Sequence, residues 1–145
     1  VWLSGSVPRT TDFEVGDAHL RAGDAACGCD CQDPLADDMA LFFRTPKGLV
    51  VVSGCTHSGL VNVVRHGLAI TGCSRLHGWI GGTHLGPVGE MQQSETLAGL
   101  LQLAPDFVAA NHCTGFAMMA NLSVAFGARF IPAFVGTEIV FDEVF

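Results

Sequence analysis

The sequence predicts an α/β protein in which helices flank a mixed, layered β-sheet. Short β-branched runs alternate along the chain with segments of helical periodicity. The length of 145 residues suits one domain or part of one. The residues are 49% hydrophobic and only 14% charged, whereas average globular proteins are about 25% charged. The composition therefore predicts closely spaced core strands and helices, with apolar faces that a partner would cover.

The predicted elements follow one another in the order β-β-α-β-α-β-α-β-β. Two apolar runs separated by a turn at 45–48 predict a hairpin, and a segment stopped by Pro105 is the clearest helix. In chain order the expected strands are 39–44, 49–53, 77–80, 106–110, 129–131 and 137–141, and the expected helices are 60–69, 90–103 and 116–126.

The first 38 residues mix Gly, Pro, Asp and Cys without sustained periodicity. They predict an irregular connector at 1–38 ahead of a folded unit at 39–145. Eight of the fourteen acidic residues fall between Asp12 and Asp38, as expected of a solvated loop. The chain starts at Val1 rather than Met, so we expect it to be a piece of a longer gene product.

Charge and hydropathy narrow the possible partners. The net charge is −7 with Lys47 as the single lysine, which disfavours binding to nucleic acid because a basic surface is missing. No apolar run reaches the ~20 residues that a membrane span needs, and no secretion signal opens the chain. We therefore expect a cytoplasmic protein with reduced thiols that acts on a small-molecule substrate.

Three of the six cysteines form the segment Cys27-Gly-Cys-Asp-Cys31. Its alternating spacing differs from the CxxC knuckles of structural zinc sites, so it is a weak metal signal. It leaves open a different class of function, a small metal- or redox-binding module organised by Cys27, Cys29 and Cys31.

Histidines follow three of the predicted strands. Cys55 and His57 come after the first, His84 after the second, and His112 with Cys113 after the third. Ligand sites collect at strand ends in layered α/β sheets, and imidazole and thiolate are preferred ligands of zinc and similar metals. A lone histidine in such a place is more often a hydrogen-bonded loop residue, but three equivalent positions predict one shared site.

Taken in order, these motifs resemble those of one family. The chain is similar to the metallo-β-lactamase-fold proteins related to the dihydropterin–ribofuranosylaminobenzene 5′-phosphate synthase of methanopterin biosynthesis. The matching segments are Asp37–Phe43, Gly48–Gly59, Gly81–Leu85 and His112–Gly115, with shorter matches at Gly5–Arg9, Phe13-Glu14 and Val135–Thr137. The resemblance covers most of the chain and implies the C-terminal half of an αβ/βα sandwich.

The resemblance implies a metal-dependent hydrolase or transferase that holds one or two divalent ions, expected to be zinc, in the complete protein. His112 matches the final histidine ligand of the family. Cys55 stands at the strand end where the family has an Asp or Cys ligand, and His57 serves instead of Cys55 or beside it.

The substrate implied by the resemblance is a phosphorylated or pterin-like small molecule. His84 is expected to be a catalytic residue on the substrate side, where it orients substrate or stabilises developing charge; the alternative for His84 is a metal ligand. Thr114 and the amides around Gly115 are expected to bind an anionic group such as phosphate at the start of a helix. The alternative for Thr114 is a plain helix N-cap.

One departure from the family pattern is large. The early His-x-His-x-Asp-His motif, which supplies most of the family's metal ligands, is missing from these 145 residues. Alone, the chain is expected to bind metal weakly and to catalyse poorly. The alternative to a metal-dependent hydrolase is a non-catalytic half-domain that requires a separate N-terminal fragment. The protein partner expected is that fragment or a second copy of the chain.

Overall fold

The structure is a computed structural model and describes residues 1–24 and 29–141. Within these ranges strands and helices alternate. The strands are β1 (Trp2–Leu3), β2 (Arg21–Asp24), β3 (Cys29–Gln32), β4 (Ala40–Thr45), β5 (Gly48–Ser53), β6 (Leu76–Gly82), β7 (Phe107–Asn111) and β8 (Phe130–Pro132). The helices are α1 (Leu60–Thr71), α2 (Glu90–Leu103) and α3 (Phe116–Phe126).

A six-stranded mixed sheet forms the framework, in the order β1-β4-β5-β6-β7-β8. Strands β1, β4 and β5 pair antiparallel, whereas β5, β6, β7 and β8 pair parallel. Because the parallel strands run in one direction, the loops that follow β5, β6 and β7 emerge at the same edge of the sheet. The predicted fold class, α/β with a mixed sheet and flanking helices, is confirmed.

The core lies between one face of the sheet and the helices. A cross-strand row on that face is completely buried, and its members are Phe42, Val51, Trp79 and Val108. These side chains form one hydrophobic cluster with residues of every helix, among them Val61, Leu100 and Leu122. Burial of this row fixes the register of the strands, because a slip of one residue would turn the row away from the helices.

The opposite face of the sheet carries a second apolar row. Its members, each paired with the next across the strands, are Leu3, Leu41, Val52, Ile80, Ala109 and Ile131. Leu3 on the edge strand β1 and Leu41 on the neighbouring β4 are 60% and 39% exposed. An antiparallel sheet with one solvated face normally alternates apolar and polar residues. A sheet that carries apolar rows on both of its faces is typical of one that packs between two layers.

The hairpin β4–β5, the strands β6, β7 and β8, and the three helices lie where the sequence predicts them, with bounds that differ by a few residues at most. The final predicted strand is wrong. Residues 137–141 are irregular, and a turn closed by the hydrogen bond from Thr137 N to Phe134 O leads into them. Their Thr, Ile, Val and Phe side chains favour a strand, but strand structure needs a partner edge, and β8 is paired along one side only.

The stretch predicted as an irregular connector is not wholly irregular. Strand β1 belongs to the main sheet, and β2 and β3 form a separate antiparallel hairpin. The same stretch also sends side chains into the folded unit, since Glu14 is only 1% exposed. The division of the chain at residue 38 stays a prediction, but residues 1–24 contribute to the packing of the rest. In the described ranges, every helix is too short or too polar to cross a membrane.

Candidate metal centre

Three loops meet at the edge of the sheet where the parallel strands end. The loop after β5 is tied to the end of β6 by a 2.8 Å hydrogen bond from Gly82 N to Gly54 O. The loop after β6 is tied to the loop after β7 by a 3.2 Å bond from Gly86 N to Cys113 O. These backbone bonds hold the three predicted motifs side by side, as the repeated strand–histidine pattern predicts.

Three side chains form a compact cluster in these loops. The Nε2 atom of His112 lies 3.0 Å from the Sγ atom of Cys55. The thiol of Cys113 donates a 3.4 Å hydrogen bond to the backbone carbonyl of Cys55. The ligand atoms of Cys55, His112 and Cys113 all lie within 4.8 Å of one another. We call this group the Cys–His cluster.

Backbone strain is concentrated around the Cys–His cluster. Thr56, His84 and His112 have φ angles of 67°, 48° and 51°, in the left-handed region that non-glycine residues seldom adopt. Each such residue costs about 1–3 kcal/mol and persists only where surrounding contacts enforce it. The hydroxyl of Thr56 donates a 2.6 Å bond to Gly82 O, which is one of those contacts.

Gly82 allows the loops to approach each other closely. A Cβ atom at this position would lie 2.6 Å from Gly54 O and 2.8 Å from the Sγ atom of Cys113. Any larger residue at position 82 would therefore displace either the backbone of the β5 loop or the thiol of Cys113.

The thiol of Cys113 is protonated at neutral pH in the metal-free chain. Burial is the largest influence and raises its pKa to about 11, although a hydrogen bond from the backbone N–H of His84 favours the thiolate. The nearby Cys55 adds to the increase in the pKa of Cys113. A bound cation reverses this preference, because metal coordination deprotonates a thiol directly.

His57 packs against His84 and is not one of the three residues of the Cys–His cluster. The two imidazole rings are 4.1 Å apart between centroids, with an interplanar angle of 55°. Burial lowers the pKa of His57, and the neighbouring His84 lowers it further. The guanidinium of Arg9 donates a 2.8 Å hydrogen bond to the carbonyl of His57. A metal-binding role for His57 stays a prediction. The three grouped ligand atoms belong to Cys55, His112 and Cys113.

His84 makes a polar contact that the sequence did not predict. Its Nε2 atom lies 3.3 Å from Oδ2 of Asp17, and the two side chains are only 13% and 8% exposed. The other carboxylate oxygen of Asp17 accepts a 2.9 Å bond from the backbone N–H of His19. That bond is the largest of the influences that lower the pKa of Asp17, so its carboxylate is ionised at neutral pH.

Thr114 and Gly115 lie in the loop between β7 and α3. The Thr114 side chain is completely buried, and its hydroxyl accepts hydrogen bonds of 3.2 and 3.1 Å from the backbone N–H and the hydroxyl of Thr83. Gly115 occupies the N-cap position of α3, without a side-chain cap. Thr114 is therefore not the predicted N-cap. Its burial also disfavours substrate contact through the side chain, and substrate binding at Thr114 and Gly115 stays a prediction.

The other cysteine motif lies partly outside the described residues. Cys27 is outside the described residues. Cys29 and Cys31 belong to the hairpin of β2 and β3, where Cys31 is exposed and has a free thiol. The role predicted for Cys27, Cys29 and Cys31 as a metal- or redox-binding module stays untested.

The donor set of the Cys–His cluster fits a transition metal. Zinc bonds of about 2.0–2.3 Å to nitrogen and sulfur place neighbouring tetrahedral ligands roughly 3.3–3.8 Å apart. The ligand atoms of the cluster all lie within 4.8 Å of one another, which is close enough for them to share one ion. Two thiols and an imidazole select borderline and soft metals over magnesium or calcium. Three protein ligands is also the number that catalytic zinc sites use.

Cys113 and Asp17 are the functional candidates that sequence reasoning missed. The signal for Cys113 was present, because it directly follows His112 at a strand end. Asp17 gave no such signal. It is one of eight acidic residues in a polar stretch, and its proximity to His84 depends on a contact between positions 67 residues apart.

Comparisons with known proteins agree with the motifs. No family model matches the chain. The chain is 36% identical over 84 residues to the 7,8-dihydropterin-6-methyl-4-(β-D-ribofuranosyl)-aminobenzene-5′-phosphate synthase of Methanocaldococcus jannaschii, a match that covers 58% of this chain and 29% of that protein. It is 31% identical over 121 residues to an uncharacterised protein of the same archaeon, which covers 83% of this chain and 43% of the relative. The chain thus spans less than half the length of these relatives.

A solved structure gives the same answer for the fold. The chain superimposes on a metal-dependent hydrolase of the β-lactamase superfamily with a TM-score of 0.62 and 26% sequence identity. The match covers 80% of this chain and 48% of that structure. The resemblance predicted from the sequence motifs is confirmed, as is a metallo-β-lactamase-type fold for the part that the chain spans.

Proposed function

We propose that the chain supplies the Cys–His part of the metal site in a metal-dependent hydrolase of the metallo-β-lactamase superfamily. The observation that carries this proposal is the convergence of Cys55, His112 and Cys113 at the carboxyl edge of the parallel strands. The preference of thiolate and imidazole for borderline metals makes zinc the expected ion. The free thiols of the described cysteines agree with a reducing cytoplasm.

When bound, the metal supplies Lewis acidity and a water of lowered pKa. The chain's own residues do the remaining work. Cys55, His112 and Cys113 would hold the ion. His84, which stands next to the cluster and is partly shielded from solvent, orients the substrate.

We infer that the substrate is a small phosphorylated or pterin-like molecule. The support is the 36% identity to the dihydropterin-related synthase. The backbone amides that begin α3 after Gly115 offer donors for an anionic group, as the first amides of helices do. Turnover of 4-nitrophenyl phosphate, compared with 4-nitrophenyl acetate, by the metal-loaded protein together with the N-terminal fragment proposed below tests whether the reaction is phosphoryl or acyl transfer.

The proposed metal site is tested by titrating the purified protein with Zn²⁺, Co²⁺, Mn²⁺ and Mg²⁺ under reducing conditions. We expect one Zn²⁺ or Co²⁺ per cluster, and loss of that binding in His112→Ala. His19→Ala is the matched control, because His19 is exposed and outside the cluster. Metal binding that survives His112→Ala but disappears when Cys27, Cys29 and Cys31 are changed to Ser would assign the metal to that module and overturn the proposal.

We further propose that a separate N-terminal fragment completes the domain on the second apolar row of the sheet. The relatives are more than twice as long as the matched region, and Leu41 on that row is 39% exposed. A tagged chain should capture a polypeptide that contains a His-x-His-x-Asp-His motif, and Leu41→Asp should abolish the capture. A monodisperse monomer that binds no such fragment contradicts this part, and a dimer disrupted by Leu41→Asp indicates self-association instead.

A further inference from the structure

Asp17 places a carboxylate against His84 at the same edge of the sheet as the Cys–His cluster. It comes from the stretch that precedes β2, yet its side chain is only 8% exposed. Burial of a carboxylate is costly unless it is hydrogen-bonded, and both oxygens of Asp17 have partners. Oδ1 accepts from His19 N at 2.9 Å and Oδ2 faces His84 Nε2 at 3.3 Å. These two bonds fix the carboxylate in one orientation.

The loop that contains His84 restricts the position of its backbone. Its φ of 48° is in the left-handed region. The preceding Thr83 is bonded to Thr114 through both its N–H and its hydroxyl. The backbone of His84 is therefore fixed by the loop that carries the Cys–His cluster, and its ring is fixed by Asp17.

The contact with Asp17 decides which ring nitrogen of His84 carries the proton. A neutral imidazole has one donor nitrogen and one acceptor nitrogen, and a carboxylate can only accept. Nε2 must then be the donor. The Nδ1 atom is left unprotonated, and it is buried without a hydrogen-bond partner among the described residues.

We propose that Asp17 is a positioning residue that fixes neutral His84 as the Nε2-protonated tautomer, so that Nδ1 is a hydrogen-bond acceptor for the substrate. This rests on the proposed function, in which His84 faces the substrate, and deepens it. The substrate group that meets His84 is then a donor, such as a hydroxyl, an amine or a ring N–H. A fully deprotonated phosphate oxygen does not match Nδ1, and the amides that begin α3 are better placed to receive that part of a ligand.

The proposal is tested by long-range ¹H–¹⁵N correlation NMR of the metal-free protein with ¹⁵N-labelled histidine at pH 8, with His84→Gln to assign the signals. We expect a protonated Nε2, an unprotonated Nδ1, and an Nε2–H signal protected from exchange. Asp17→Ala should abolish that protection, and Asp17→Glu should restore part of it. Asp12→Ala is the control, because Asp12 is an exposed carboxylate in the same stretch and its loss should leave the signal unchanged.

A purely structural role for Asp17 predicts a different result. In that case Asp17→Ala lowers the melting temperature but leaves the protonation pattern and exchange of the His84 ring as they were, which overturns the proposal. A protonated Nδ1 in the unaltered protein overturns it as well. The measurement needs no bound metal, so a failed metal titration refutes the proposed function without altering this result.

Discussion

The Nε2 atom of His112 lies 3.0 Å from the Sγ atom of Cys55, although the two residues are 57 positions apart in the chain. The contact exists because β5 and β7 both run parallel to β6 and end at the same edge of the sheet. Cys113 joins the pair from the β7 side. A single structural rule, the convergence of parallel strand ends, thus assembles the three side chains of the Cys–His cluster from two separate motifs.

The first prediction concerns the third ligand of the metal. Cys113→Ser should weaken Co²⁺ binding by at least roughly 10–100-fold, the loss that even a supporting residue of a metal site causes. His57→Ala should leave the affinity within about threefold, because the His57 ring packs against His84 rather than joining the cluster. Absorption spectroscopy of the Co²⁺ protein measures the number of thiolate ligands, since each thiolate contributes a charge-transfer band.

Two thiolates in the unaltered protein should give about twice the charge-transfer intensity that either Cys55→Ser or Cys113→Ser retains. Cys31→Ser is the control, because Cys31 has an exposed free thiol in the β2–β3 hairpin. If His57→Ala abolished binding while Cys113→Ser had no effect, the assignment of ligands would be reversed.

The second prediction concerns the packing of the loops beneath the cluster. Gly82→Ala should weaken metal binding by roughly 10-fold or more, as the loss of supporting contacts around metal ligands does. The reason is that its Cβ would lie 2.8 Å from the Sγ atom of Cys113 and 2.6 Å from Gly54 O. Isothermal titration with Zn²⁺ measures the change.

Gly54→Ala is the matched control, since a Cβ atom at that position meets nothing within 4 Å although the residue directly precedes Cys55. Its metal affinity should equal that of the unaltered protein. Equal losses in Gly54→Ala and Gly82→Ala would mean that flexibility of the loops, and not the close approach at Gly82, sets the affinity.

The regular elements were predictable because their signals are local. Apolar runs and helical spacing occur within a dozen residues, and the strands and helices between residues 40 and 132 follow them. The prediction of a strand at 137–141 was wrong because strand pairing is not a local property. Its composition favours extended chain, but pairing depends on which strand edge is available, and local sequence does not contain that information.

The edge at which the candidate site lies was predictable, but its exact membership was not. A histidine after each strand predicts convergence, yet the direction of each side chain depends on the positive φ angles at Thr56 and His112. Cys55 joins the cluster, whereas the next histidine, His57, packs against His84. Asp17 and Glu14 were out of reach for another reason, because their contacts join a stretch without periodicity to elements 47 to 82 residues away.

The third prediction concerns acid stability at the end of the sheet opposite the cluster. The Arg75 guanidinium donates a 2.7 Å hydrogen bond to Oδ1 of Asp106, and Nδ1 of His77 lies 2.6 Å from Oδ2 of the same carboxylate. These contacts lower the pKa of Asp106 to about 2. A carboxylate with a lowered pKa in the folded state stabilises the fold above its unfolded pKa, 3.8, and loses that contribution as the pH falls to about 2.

Asp106→Asn should therefore lower the free energy of unfolding between pH 5 and 7, and the difference from the unaltered protein should vanish between about pH 4 and pH 2. The loss should be small, because the side chains of Arg75 and Asp106 are 47% and 44% exposed. Urea unfolding across this pH range measures it. A difference that grows on acidification would contradict the assignment, and Asp12→Asn, an exposed carboxylate, should show no such pH dependence.

The fourth prediction concerns the start of α1. The N-cap of this helix is Gly59, without a side-chain cap, and two of its first amide groups are satisfied by a distant residue instead. Glu14 accepts bonds of 2.8 and 2.9 Å from the N–H groups of Val61 and Asn62. Burial raises the pKa of Glu14, and these hydrogen bonds oppose that increase. A carboxylate at this position also interacts favourably with the helix dipole.

Glu14→Ala removes the acceptor and leaves two buried N–H groups without a partner, each of which costs about 1–3 kcal/mol. We expect a loss of roughly 2–4 kcal/mol in the free energy of unfolding, at the upper end of single-substitution effects. Glu95→Ala, at an exposed position of α2, should change it by less than about 0.5 kcal/mol. Urea unfolding followed by far-ultraviolet circular dichroism measures both. Equal stability of the two variants would mean that residues 1–24 pack only loosely on α1, and the contact of Asp17 with His84 would then lose its support as well.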